Sequence, residues 1–190
     1  KRGIISATYV GVNKEGVVNA EDVKKAMQKN TVFVSIQYAN SEPGTTQPIL
    51  AIGKMLKGHK AVFHTDAVQA ANYLSCNVEK LGVDLLTLSS HKVYGPKGEG
   101  SLYVKRGVVL VPAIMGGGQE QDMRSGTENV AGLVGMGEAV AELINPKNAV
   151  QAIKIRQLKD WFLKEVQKKI EGVQVTGSLK ERLPNNVHLL

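Results

Sequence analysis

Lys92 follows a histidine at the point where an apolar stretch gives way to a segment rich in glycine and proline. Residues 84–88 are mostly apolar and predict a short β-strand, which Gly95, Pro96 and Gly98 prevent from continuing. In open α/β sheets, ligands bind beyond the carboxyl ends of the strands. A lysine amine held at this edge could form an imine with an aldehyde cofactor, although most lysines in proteins are only surface charges.

A carboxylate, Asp66, is predicted at the same edge of the sheet, because it follows a predicted strand over residues 60–64. The separation of Asp66 from Lys92 along the chain suits a crossover between two neighbouring parallel strands. At that position Asp66 could pair with the protonated ring nitrogen of a pyridine cofactor, and Gln69 could donate to the phenolate of the ring. The alternatives are that Asp66 caps a short helix reaching Tyr73 and that Gln69 is a solvated helix position.

Strands and helices alternate along most of the chain. Asn19 predicts the N-cap of a helix to about residue 28, and Pro48 predicts the start of a helix that Gly58 ends. The predicted strands cover residues 31–36, 60–64, 84–88 and 100–104. This order predicts an α/β fold over residues 1–145, a largely parallel sheet with helices on both faces.

A second region is predicted to begin at Asn145 and Pro146, an N-cap followed by a first helical residue. We expect residues 146–190 to form the start of a smaller, incomplete α+β domain with short strands at 173–175 and 186–190. Spacing of three and four predicts one buried face on its long helix, formed by Ile155, Leu158, Phe162, Val166 and Ile170. The chain has no initial methionine and ends within a predicted strand, so we expect it to be truncated at both ends.

The composition narrows the possible classes of protein. One cysteine, Cys76, excludes an internal disulfide framework and favours a reducing, cytoplasmic location. No run approaches the roughly 18 apolar residues that a membrane helix needs. The net charge is +7, partly from a basic stretch over 147–171, but aromatic residues make up only 5% and no nucleic-acid-reading motif is present. We therefore expect neither membrane nor nucleic-acid binding, and no histidine spacing predicts a metal site.

Four segments of the chain carry longer motifs. They are His64-Thr65-Asp66-Ala67-Val68-Gln69-Ala70, Ser89-Ser90-His91-Lys92-Val93-Tyr94-Gly95-Pro96-Lys97-Gly98, Gly116-Gly117-Gly118-Gln119-Glu120 and Arg124-Ser125-Gly126-Thr127-Glu128-Asn129. In order and spacing they strongly resemble cysteine desulfurases of the NifS/IscS type, which are class V members of the fold-type I pyridoxal-phosphate enzymes. The resemblance covers essentially the whole chain and implies the large domain of that fold.

The resemblance also implies a role for each matched position. Lys92 would hold pyridoxal 5'-phosphate covalently, with Ser89, Ser90 and His91 beside it and His91 helping proton transfer. Asp66 would pair with the pyridinium nitrogen and Gln69 with the phenolic oxygen. Thr127 would reach the phosphate bound by a partner subunit, which implies a homodimer with shared active sites. Asparagine is usual in the family where Ser41 stands, so that cofactor contact is weakened, routed through water or taken by Asn40.

The implied reaction converts L-cysteine to L-alanine and passes the sulfur to an enzyme cysteine for iron–sulfur cluster assembly or thiolation. A sulfur-acceptor or iron–sulfur scaffold protein would be the macromolecular partner. The family's nucleophilic cysteine lies downstream of residue 190, and Cys76 does not match it, so we expect these 190 residues alone to be poorly active or inactive. The alternatives are a selenocysteine lyase, another class V aminotransferase, or an inactive fragment.

Overall fold

A four-stranded mixed sheet forms the centre of the protein, which we describe over residues 5–190 of a computed structural model. The strands are β1 (Phe33–Gln37), β2 (Val62–Asp66), β3 (Leu85–Ser89) and β4 (Gly100–Val104). They lie in the order β1-β2-β3-β4, with β1 to β3 parallel and β4 antiparallel to β3. The predicted largely parallel sheet is therefore confirmed, and β2 and β3 are the parallel neighbours that the spacing of Asp66 and Lys92 required.

Five α-helices accompany this sheet in the described part of the chain. They are α1 (Ala20–Ala26), α2 (Ile49–Leu56), α3 (Val78–Leu81), α4 (Val130–Leu143) and α5 (Pro146–Lys169). The predicted caps are confirmed, because the side chains of Asn19 and Asn145 accept backbone N–H groups at the starts of α1 and α5. Gly58 has a positive φ just beyond α2, as its predicted stop position requires. The helices α3 and α4 were not predicted.

The main hydrophobic core lies between one face of the sheet and helices α1 to α3. Val34, Phe63 and Leu86 supply the sheet side of this core, and Ile49 and Ile52 supply much of the helix side. At the same interface α2 and α3 approach very closely, because a side-chain carbon added at Gly53 would lie 1.9 Å from the carbonyl oxygen of Leu81. The bare backbone at Gly53 is therefore what allows the two helices to pack.

Two local predictions need correction. The strand β2 continues to Asp66 instead of ending at residue 64, and the segment after it forms successive hydrogen-bonded turns in place of a helix to Tyr73. The predicted buried face of α5 is also wrong, since Leu158, Phe162 and Ile170 are exposed and Leu163 is buried instead. Few of the described residues pack against α5, so its amphipathic pattern alone does not determine which of its side chains are buried.

The C-terminal segment returns to the loop that follows β1. Residues 174–176 pair with 188–190 around the bridge between Val175 and Leu189, where the two short strands were predicted. The N–H of Leu183 then donates to the carbonyl of Gly44 at 2.9 Å, and the N–H of Thr46 donates to the carbonyl of Glu181 at 2.9 Å. Residues 146–190, predicted as the start of a smaller, incomplete domain, are thus hydrogen-bonded to the loop that follows β1, and the division into domains stays a prediction.

Candidate active site

Asp66 and Ser89 end two adjacent strands at the same edge of the sheet. Asp66 is the last residue of β2 and pairs with Gln37 of β1 and Thr87 of β3. Because side chains alternate along a strand, Asp66, Thr87 and Ser89 share one face. The Asp66 carboxylate accepts the N–H of Val68 at 2.9 Å, so it caps the following turn and is still exposed at the edge. Both alternatives for Asp66, a turn cap and a ligand-facing carboxylate, are compatible with this geometry.

Lys92 lies on a single 3-10 turn, Ser90–Lys92, that begins directly after β3. The carbonyl of Ser90 accepts the N–H groups of Val93 and Gly95, each at 3.0 Å, and the N–H of Ser90 donates to Glu99 at 3.0 Å. Val93 is 1% exposed and anchors the turn in the protein, whereas Lys92 is exposed. The backbone of Lys92 is therefore fixed while its side chain is exposed.

Three further residues shape the Lys92 turn, and the sequence singled out only the glycine among them. The side-chain amide of Asn72 donates to the carbonyl oxygen of Lys92. Tyr94 has φ of 68°, a left-handed conformation that is uncommon outside glycine. At Gly95 an added side-chain carbon would lie 2.2 Å from Oγ of Ser90. The chain thus reverses sharply after Lys92, where only glycine fits the second position of the reversal.

The hydroxyl and imidazole groups next to Lys92 differ in their surroundings. Nδ1 of His91 lies 2.9 Å from Oγ of Ser89, so the two side chains form one hydrogen-bonded unit at the exposed edge. Ser90 is fully buried, and its Oγ has no hydrogen-bond partner among the described residues. The predicted cofactor contacts of Ser89, Ser90 and His91 stay predictions. Of the three, Ser89 and His91 are the ones placed within reach of a ligand.

The other predicted contacts flank this edge. Asn40 accepts the N–H of Glu42 at 2.8 Å through its side-chain oxygen, and its amide donates to Oε1 of Gln37 at 3.4 Å. Ser41 is exposed in the same loop, and Gln69 is half-buried in the turns after β2. Asn40 is therefore tied to the β1 residue that pairs with Asp66, which places the loop beside the predicted site.

Thr127 lines a concavity that also reaches Leu88 near the end of β3 and Glu99, the residue whose carbonyl accepts the N–H of Ser90. Its side chain is exposed on the wall of this concavity, which has a volume of about 850 Å³ and lies beside β4, together with Ser101 and Arg124. The glycine-rich segment 116–118 that precedes Thr127 is held in place, because the Ser125 hydroxyl donates to the carbonyl of Gly117 at 2.6 Å. The predicted contact of Thr127 with a partner's phosphate stays a prediction, and the exposure of Thr127 is what such a contact requires.

A polar row crosses three strands on the face that carries Asp66. Nδ1 of His64 lies 2.8 Å from Oγ of Ser35, and Nε2 lies 2.9 Å from Oγ1 of Thr87. Burial lowers the pKa of the His64 imidazole, against a smaller opposing effect of the Asp66 carboxylate. In the neutral ring one nitrogen donates and the other accepts, so His64 can satisfy both hydroxyls. This supports the predicted structural role of His64, two residues before Asp66.

Cys76 is half-buried, and burial raises the pKa of its thiol to about 11. Because the thiolate is the reactive form, only on the order of one thiol in a thousand is ionised at pH 8. We expect native Cys76 to react with a disulfide reagent such as dithionitrobenzoate roughly a hundredfold more slowly than free cysteine at pH 8. The rate should rise about tenfold per pH unit up to the pKa. Rapid labelling of the native protein at pH 8 would contradict this assignment, and urea-unfolded protein provides the fast reference.

Comparison with known proteins places the chain in a family. The aminotransferase class-V family model matches residues 1–189, so the chain belongs to the class-V aminotransferases. Cysteine desulfurase IscS of Dictyoglomus turgidum is 46% identical over 181 residues, and cysteine desulfurase IscS 1 of Archaeoglobus fulgidus is 42% identical over 181 residues. These alignments cover 95% of the chain but 46% and 47% of the relatives. The chain therefore spans about half the length of the curated relatives it matches.

Solved structures agree with the fold. A NifS-like protein superposes with a TM-score of 0.88 at 36% identity, and a NifS-like protein from Rickettsia africae with 0.86 at 36%. They align with 96% and 95% of this chain and with half of each neighbour. SspA, solved in complex with cysteine, has a TM-score of 0.78 at 36% identity, covering 96% of this chain and 50% of its own. The predicted fold class and family resemblance are confirmed.

Two kinds of feature, membrane-spanning helices and metal-binding clusters, are absent from the described residues. Among residues 5–190, no helix combines the length and the apolar character needed to span a membrane. Within the same range, no three or more His, Cys, Asp or Glu side chains are grouped so that they could bind a metal ion.

Proposed function

We propose that this chain forms part of a pyridoxal-phosphate-dependent cysteine desulfurase, which converts L-cysteine to L-alanine and transfers the sulfur to a thiol. One observation carries the proposal: parallel neighbours β2 and β3 end in Asp66 and in the Lys92 turn, at the same edge of the sheet. The named relatives support the chemistry, since IscS proteins are cysteine desulfurases and SspA was solved with cysteine.

The residues at this edge fit the chemical groups of pyridoxal phosphate. An amine (Lys92) is needed for the aldehyde, a carboxylate (Asp66) for the protonated ring nitrogen and hydroxyl donors such as Ser89 for the phosphate. Gln69 and Asn40 are amides available for the ring oxygen. When bound, the cofactor supplies an electron sink for the substrate carbon that loses its proton.

The chain's own residues would bind, orient and move protons. The exposed Lys92 amine sits on a backbone fixed by Ser90 and Asn72, so it can exchange a proton with a substrate without losing its position. Ser89 orients the imidazole of His91 through the contact at Nδ1. The other nitrogen, Nε2, is then available for a second proton transfer or for contact with the cofactor ring. The Asp66 carboxylate would pair with the cationic ring nitrogen of the cofactor.

The sulfur-accepting step needs a thiolate that the described residues do not supply. Cys76, with its raised pKa and partial burial, is a poor candidate. We therefore assign the nucleophile to a cysteine outside these 190 residues, and the sulfur to an acceptor or iron–sulfur scaffold protein. The exposure of Thr127, which the resemblance assigns to a partner's phosphate, supports a homodimer that completes each site across subunits. The single cysteine supports a reducing, cytoplasmic location.

The test is product analysis with the protein at its full natural length, supplied with pyridoxal phosphate and L-cysteine. We expect alanine and sulfide in equal amounts when dithiothreitol is the final acceptor. A parallel reaction with L-selenocysteine separates the desulfurase from a selenocysteine lyase, which would strongly prefer the selenium substrate. Transfer of the amino group to a keto acid, with no sulfide formed, would identify an aminotransferase and refute the proposal.

A further inference from the structure

The loop after β1 is held by an asparagine from the far end of the chain. The side-chain amide of Asn186 donates to the carbonyl oxygens of Ser41 at 3.3 Å and of Glu42 at 2.9 Å. Its side chain also packs directly over Gly44, where an added side-chain carbon would lie 2.2 Å from Asn186. Asn186 therefore bonds two successive carbonyls and occupies the space that the glycine leaves.

Arg182 fixes the orientation of that amide. It is 5% exposed, and its Nη1 donates to Oδ1 of Asn186 at 3.0 Å. Its Nε donates to the carbonyl of Ser178 at 2.7 Å, and its Nη2 donates to the carbonyl of Thr176. Because the oxygen of Asn186 accepts from a guanidinium that cannot accept in return, its NH₂ group must face the loop. Two carbonyls of the loop then receive the only donors that this side chain has.

The held loop leads directly to the candidate active site. The backbone of Asn40 donates to Thr45 at 3.0 Å, which closes the loop, and the side-chain amide of Asn40 donates to Gln37. Gln37 is the β1 partner of Asp66. Contacts therefore run without a gap from Arg182 and Asn186 to the strand that carries the predicted cofactor carboxylate.

We infer that Asn186, oriented by Arg182, is a positioning residue for the active site. It holds loop 40–45 so that Asn40 and Ser41 are presented to the cofactor at the edge of the sheet beside Asp66. The inference rests on the proposed function, because it assigns the loop to the cofactor site. It adds a role for residues of the C-terminal segment, which act on that site through the loop.

The test replaces Asn186 with aspartate in the protein at its full natural length. The substitution keeps the size and the contact with Arg182 but removes both donors and turns an acceptor toward two carbonyls. We expect the dissociation constant for pyridoxal phosphate to rise roughly tenfold to a hundredfold and the visible absorbance of the bound cofactor to shift. Hydrogen exchange should accelerate in a peptide covering residues 40–47 and stay unchanged in β2 and β3.

Asn185→Asp is the matched control, because Asn185 is the exposed neighbour and makes no side-chain hydrogen bond in the described structure. It should match the wild type in every readout. If Asn186→Asp does not fold, Asn186→Ala against Asn185→Ala gives the same comparison without a new charge. The inference would be refuted if the Asn186 variant and its matched Asn185 variant had equal cofactor affinity and equal absorbance. This holds even if hydrogen exchange accelerates across the whole protein. A wild-type protein that binds no cofactor would refute the proposed function and this inference together.

Discussion

Replacing Lys92 with alanine is expected to abolish covalent attachment of pyridoxal phosphate. The exposed Lys92 amine is the one predicted to bind the aldehyde, and the turn that carries it is fixed by backbone hydrogen bonds. The variant should therefore fold normally and lack only the amine. After borohydride reduction and denaturation, mass spectrometry should find the cofactor on the wild type and none on Lys92→Ala. Desulfurase activity should fall by roughly 10³-fold, the scale of a lost proton-transfer group.

Lys97→Ala is the control for this experiment. Lys97 is an exposed lysine in the same connection between β3 and β4, with the same charge and a nearby position. It should keep both covalent attachment and activity. Cofactor that survives denaturation on Lys92→Ala, or loss of attachment in Lys97→Ala alone, would move the covalent site away from Lys92.

Replacing Gly53 with alanine is expected to give the largest loss of stability. The new methyl group would meet the carbonyl oxygen of Leu81 at 1.9 Å, and a backbone atom cannot rotate away as a side chain can. Helices α2 and α3 would have to separate within the core. We expect a destabilisation of about 3 kcal/mol, the upper part of the range for overpacked cores. Urea unfolding followed by circular dichroism measures the change.

Gly137→Ala provides the opposite control. Gly137 lies inside α4, is exposed, and has no atom within 4 Å of an added side-chain carbon. Alanine there removes backbone freedom from the unfolded chain and should stabilise the protein by about 0.5–1 kcal/mol. If the two variants unfolded at the same urea concentration, close packing of Gly53 would not be what limits this core.

The edge that carries Asp66 and Lys92 could be predicted because local signals define it. Glycine and proline end the β3 segment near Lys92, and the strand-and-helix alternation makes β2 and β3 parallel neighbours. The helix α4 was missed because it contains three glycines, which disfavour helices in isolation. Two of them let it approach other residues closely: side-chain carbons added at Gly132 and Gly135 would lie 2.7 Å from Glu99 and 3.1 Å from Pro96.

The supporting residues could not be predicted because their roles depend on distant contacts. Asn72 has no local signal for its bond to the carbonyl of Lys92. Asn186 contacts Ser41 across 145 positions of sequence, and no periodicity connects the two. The amphipathic pattern of α5 predicted a buried face, but what a helix buries depends on the surfaces around it. Among the apolar residues of α5 whose burial is described, only Leu163 is buried.

The antiparallel direction of β4 has a consequence for the order in which the chain folds. Residues 90–99, which include Lys92, leave β3 and re-enter the sheet at β4 through a short connection. Closing a short loop costs less entropy than closing a long one, and each doubling in length adds about 0.6 kcal/mol. The β3–β4 hairpin that carries Lys92 can therefore form from local contacts during synthesis. Loop 40–45 can be bonded by Asn186 only after residue 186 has left the ribosome.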